Sequence, residues 1–123
     1  MLDREQRDLL ISLSYLYLAC GQEIRALPLL WLLERDNGND PEVLRALAHA
    51  LTAECMCDQA LKVIDRVEAL EGAGGSGEVL LLRSRALHAA GQRAEARACF
   101  TAFVSRRARR LAAGSAVPGV TAP

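Results

Sequence analysis

Aromatic side chains are scarce in this chain: one Trp, two Tyr and two Phe, 4% of 123 residues. None is interleaved with the basic run Arg106-Arg107-Ala108-Arg109-Arg110. A surface that stacks nucleic-acid bases is therefore not expected. No apolar stretch approaches the ~18 to 20 uninterrupted residues of a membrane span, so stable insertion is not expected either. The opening Met1-Leu2-Asp3-Arg4-Glu5-Gln6-Arg7-Asp8 carries both signs of charge and leads into no apolar signal region, and a cytoplasmic location is expected. Net charge is also missing, with 15 basic and 15 acidic residues. The balance hides an asymmetry: residues 1–76 hold 7 basic and 13 acidic residues (7 − 13 = −6), and residues 77–123 hold 8 and 2 (8 − 2 = +6). The two halves should attract partners of opposite sign.

Four cysteines, Cys20, Cys55, Cys57 and Cys99, all fall in expected helices or helical turns and do not make a secreted disulfide framework in this context. They read as small buried thiols. A metal at Cys55-x-Cys57 with His49 is disfavoured. A spacing of two turns the thiols to different helix faces, and there is no second Cys pair. His49 and His88 have no Ser, Cys or acidic partner at catalytic spacing. No enzyme activity, cofactor or metal is expected.

What is abundant is Leu, Ala and Val, within an apolar content of 51% that suits close-packed helices. The chain also repeats itself. Gly21-Gln22-Glu23-Ile24-Arg25-Ala26-Leu27, Cys55-Met56-Cys57-Asp58-Gln59-Ala60-Leu61 and Gly91-Gln92-Arg93-Ala94-Glu95-Ala96-Arg97 align, with Ala26, Ala60 and Ala96 spaced by 34 and 36 residues. A period near 34 with a small residue after a helix–helix turn is the tetratricopeptide signature. The fold class expected is an all-α array of three helix-turn-helix pairs in one domain, residues 1–110, with repeats at about 7–40, 41–74 and 77–110. Helices are expected near 4–19, 23–36, 41–54, 57–71, 77–90 and 93–110. Gly21 and Gly91 end helices; Asp40 caps one and Pro41 opens it. Pro28 should kink the second helix mildly. The Gly-rich run 72–77 reads as the loosest joint and residues 111–123 as a disordered tail.

The register assigns the core. Leu10, Leu13 and Tyr17 should meet Ala26, Leu30 and Leu33. Leu44, Leu47 and Leu51 should meet Ala60, Ile64 and Val67. Leu80 and Leu87 should meet Ala96, Phe100 and Phe103. Ser14, Ala48 and Ser84 recur where helix axes approach closely. The Arg106–Arg110 run should give the outermost helix a polar face and favour its C-terminal dipole.

Subtracting these positions leaves the candidate site. The odd-numbered helices of such arrays line a concave groove. Ile11, Tyr15 and Leu18 fall on its side of the first helix, Arg45 and His49 on the third, and Leu81, Leu82, Arg85 and His88 on the fifth. Tyr15, His49 and Arg85 share one repeat position, with the small Ala19, Ala53 and Ala89 four residues on. This surplus of apolar residues is expected to take an apolar helix or extended segment of a protein partner. Leu29, Trp31 and Leu32 form a second apolar patch, for self-association of the unliganded chain or for another partner.

The stretch Leu16-Tyr17-Leu18-Ala19-Cys20-Gly21-Gln22-Glu23-Ile24-Arg25-Ala26-Leu27-Pro28-Leu29-Leu30 resembles the opening repeat of the small tetratricopeptide chaperones of bacterial type III secretion systems. The likeness is greatest to the YscY type, with Cys-Gly ahead of Arg-Ala-x-x-Leu-Leu and two further repeats. The resemblance implies a cytoplasmic chaperone for a small secreted export component, the X subunit, acting near the export gate. The needle-subunit chaperone of the same systems shares the implied fold and remains an alternative, as does a generic scaffold joining stable proteins. Tetratricopeptide domains that clamp a C-terminal carboxylate place Lys, Asn and Arg where this chain has Ile11, Tyr15, Ala46, Glu78 and Leu82. The groove should instead select apolar surface.

Overall fold

The computed structural model describes residues 1–72 and 77–115. These fold as six helices: α1 (Arg4–Ala19), α2 (Glu23–Asp36), α3 (Pro41–Ala53), α4 (Cys57–Glu71), α5 (Gly77–Ala89) and α6 (Arg93–Ser115). No strand occurs among the described residues. The chain is an all-α array of three antiparallel pairs.

Local chemistry sets the boundaries. The Asp3 carboxylate accepts from the Gln6 amide at 2.8 Å, and the Gln6 side chain accepts from the Asp3 amide at 3.1 Å, a reciprocal cap on α1. Asp40 accepts from the Glu42 amide at 3.1 Å, with Pro41 in the first turn of α3. The three turns inside the pairs close alike. The amides of Gln22, Met56 and Gln92 donate to the carbonyls of Tyr17, Leu51 and Leu87 at 2.8, 2.8 and 2.9 Å. Such a closure needs a left-handed residue just past the helix. Gly21 (φ +73°) and Gly91 (φ +84°) supply it without strain, whereas the middle turn uses Cys55 at φ +61°. A side chain there costs about 1 to 2 kcal/mol. Cys55→Gly is therefore expected to stabilise the fold by about 0.5 to 1 kcal/mol, after allowance for glycine's freer unfolded chain. Urea unfolding measures it; an unchanged or lowered midpoint would show that the turn carries no such strain.

The core runs through the middle pair. Leu33, Leu44, Leu47, Leu51 and Ile64 are fully buried, and Leu30, Val43, Val67 and Val79 nearly so. Ser14, Ala48 and Ser84 are all buried at their shared position. The Ser84 hydroxyl donates to the Ala96 carbonyl at 2.9 Å and so ties α5 to α6. Ion pairs tie the helices together within and between pairs. Arg7 reaches Asp36 and Asp40, both at 2.9 Å. Arg66 holds Glu34 at 2.9 Å. Arg83 holds Asp65 at 2.7 Å and Glu68 at 3.0 Å. Forked, partly buried guanidinium–carboxylate contacts of this kind fix register better than lysine would.

Several expectations need correction. Phe100, assigned to the core, is 48% exposed, because no described helix packs over α6 as α3 packs over α2. The outermost helix is not polar outside: Val104 and Leu111 are exposed with Phe100. Of the four thiols only Cys57 is buried. Cys20 and Cys55 sit exposed in the turns, and Cys99 is intermediate. The mild kink expected at Pro28 is not among these corrections: α2 is a single helix through the exposed Pro28, where water can satisfy the carbonyl left without a donor. α6 continues five residues past 110, so the boundary of the expected tail shifts. Residues 116–123 of that tail, and 73–76 of the Gly-rich joint, lie outside the described residues.

Candidate functional site

A concave cavity of about 490 Å³ opens on one side of the array. Its wall comes only from α1, α3 and α5: Tyr15 and Leu18; Glu42, Arg45, Ala46 and His49; Glu78, Leu81, Leu82 and Arg85. The geometry follows from the 34- to 36-residue period. Equal positions of successive odd-numbered helices stack side by side, so one column of the repeat becomes one stripe of the wall. Tyr15, His49 and Arg85 form such a stripe. Ala19, Ala53 and Ala89 are the last residues of their helices, and all three are exposed.

The floor is apolar and the rim is charged. Leu18, Ala46, Leu81 and Leu82 supply the apolar surface. The Tyr15 hydroxyl donates to Glu42 Oε1 at 2.7 Å across the joint between the first two pairs. Partial burial, reinforced by the neighbouring Glu42 carboxylate, raises the Tyr15 pKa well above the ordinary phenol value. The neutral donor form therefore persists through the pH range where a free tyrosine ionises. Any stability it adds is present below about pH 10 and is lost as pH climbs through the folded value. Arg45 pairs with Glu71 and approaches Glu78 at 3.5 Å, so its charge is largely spent within the chain. Arg85 is exposed and forms no hydrogen bond or ion pair with the described residues. It is the cation of the rim that remains open to a ligand.

Of the nine groove residues read from the sequence, the cavity brings together Tyr15, Leu18, Arg45, His49, Leu81, Leu82 and Arg85. Ile11 is a correction. It packs, half-buried, against the core cluster and does not line the cavity. His88 lies next door, in a second cavity between α5 and α6 with Leu81, Ser84, Arg85, Arg93, Ala96, Arg97 and Phe100. Glu42 is the wall residue the sequence reading missed; Ala46 and Glu78 were placed at groove positions but not among the binding candidates. Their repeat equivalence, 42 with 78 and 46 with 82, was the available signal.

The second patch is brought together in part. Trp31 and Leu32 line a depression with Pro28 and Arg35, and Leu32 also borders a cleft with Met1 and Leu2. Leu29 lines neither, and Trp31 leans on the core cluster. Among the described residues no group of three or more His, Cys, Asp or Glu side chains is arranged to hold a metal ion. No described helix is long and apolar enough to cross a membrane. No protein-family model matches the chain, and no curated protein matches it either.

Proposed function

We propose that this chain is a tetratricopeptide-type array that binds an apolar segment of another protein in the cavity walled by α1, α3 and α5, and that it acts as a cytoplasmic chaperone of the type III secretion class. The observation that carries this reading is the wall itself. Apolar side chains from three successive odd-numbered helices converge on one concave surface, and nothing within the described chain covers them. A groove of this kind takes an amphipathic helix or an extended segment through a few apolar anchors. Arg85 and the Glu42–Glu78 side of the rim would set the direction of the bound segment by charge. The resemblance of residues 16–30 to the chaperone repeat supplies the class of client, a small export component that is unstable alone. No reaction is assigned. The mechanism is mass action: the chaperone binds and shields apolar surface, and each chain stabilises the other by linkage.

Co-expression with the products of the reading frames flanking its own tests this. A client insoluble alone should become soluble, and the complex should melt above the free chain. At a hundredfold excess over the dissociation constant the gain is about 2.7 kcal/mol. A partner that is soluble by itself and leaves the melting temperature unchanged would favour the scaffold reading instead.

A further inference from the structure

We propose that the two ends of this array are complementary, so that copies of the chain associate head to tail, with α1 of one copy seated on α5 and α6 of the next. The proposal goes beyond the groove reading and does not depend on it, because it uses different faces.

The repeat register carries the argument. Leu9, Ser12 and Leu16 of α1 stand where α3 has Val43, Ala46 and Ala50, at the 34-residue spacing. In α3 those positions are buried (2%, 8% and 0% exposed), on a helix packed against α2 and α1. In α1 the same face is open, with Leu9 68% and Leu16 58% exposed. The other end mirrors it. Phe100 stands where the inner pairs have Leu30 and Ile64, which are 2% and 0% exposed; Phe100 is 48% exposed. Val104 occupies the place of Glu68, which holds Arg83 of the following pair, and is 47% exposed. Each end therefore presents the apolar face that the interior joints bury.

Charge selects a second copy as the occupant. Each odd-numbered helix begins beside the end of the preceding even one, as α3 does after α2. Continued across copies, this geometry brings the first turns of α1, with exposed Asp3, Glu5 and Asp8, to the stretch of α6 equivalent to the end of α2, with exposed Arg107, Arg109 and Arg110. The −6 and +6 of the two halves of the sequence give the same polarity at longer range. A contact between unlike faces is not self-complementary, so it extends past a dimer, into an open chain or a ring according to its rotation.

Sedimentation velocity across a concentration series tests it. The wild-type chain should grow past dimer as concentration rises and shrink back in high salt. Leu9→Asp with Leu16→Asp blocks one end, and Phe100→Asp with Val104→Asp blocks the other. Each doubly substituted chain should be monomeric alone, and their equimolar mixture should form a one-to-one dimer and nothing larger. A gentler pair leaves the apolar faces intact. Arg107→Glu with Arg110→Glu should weaken association at least about tenfold, and mixing with Glu5→Arg, Asp8→Arg chains should restore it. Far-UV circular dichroism checks that every variant is folded. A wild-type chain that stays monomeric throughout overturns the proposal, as does either blocked chain dimerising alone, which indicates a symmetric contact. Association that appears only after deletion of 116–123 shows that this segment occupies the face instead.

Discussion

Tyr15→Asp is expected to lower affinity for the groove's protein partner about a hundredfold or more while leaving the helical signal intact. Tyr15 is the aromatic of the cavity wall and is 40% exposed, so its ring is open to a ligand. Rim aromatics whose hydroxyl is already oriented are frequent binding anchors, because they offer area at small entropic loss. Here Glu42 fixes the hydroxyl. An aspartate removes the ring and sets a third carboxylate beside Glu42 and Glu78, with no donor to replace the phenol. The fold should survive. α1 is held elsewhere by the Asp3–Gln6 cap, by Arg7 on Asp36 and Asp40, and by buried Ser14. Calorimetric titration with the partner, alongside circular dichroism, decides the matter. Wild-type affinity would remove the groove from consideration, and lost helicity would make Tyr15 a structural residue.

Leu47→Ala should be among the most damaging single truncations in α3, at about 2 to 5 kcal/mol. The side chain is fully buried at the centre of the middle pair, flanked by Leu44 and Leu51, which are equally buried. Neighbours held by two further pairs cannot collapse into the space, so the cavity remains. A loss of that size is a large part of the ~5 to 15 kcal/mol that stabilises a domain of this length. It should lower the melting temperature by roughly 10 to 20 °C. Leu9→Ala is the control: at an exposed position the change should stay within about 0.5 kcal/mol in dilute solution. Equal losses at the two sites would mean that the burial pattern does not govern stability.

Helix boundaries were legible because they rest on local chemistry. Asp40-Pro41, Gly21 and Gly91 each perform one job that few residues can, and the structure uses them as read. The stripe Tyr15, His49 and Arg85 was legible because periodicity alone stacks it. What the sequence could not convey was the effect of position within the array. Ile11 and Leu18 have the same apolar character on the same helix, and the sequence does not distinguish the one that lines the cavity from the one that only packs on the core. Phe100 looks like core by its register and is exposed because nothing described lies beyond it. Cys55 was aligned with two glycines, yet the strain of that place was not drawn from the alignment. Glu42 is polar and does not stand out among surplus apolar residues; Glu78 was placed in the groove, but only by analogy of position.

The uneven burial along the array has a mechanical meaning. α3 buries seven side chains, whereas Ala96 is the buried one among the described side chains of α6. Local opening is easiest where the fewest apolar contacts must be broken. The array thus has a stiff centre and two softer ends: α1 holds one buried side chain, Ser14, as α6 holds one, Ala96. The cavity is built on the stiff α3, with α1 and α5 as its more compliant flanks. A segment entering it rests on a fixed floor, and either flank can adjust to what it holds.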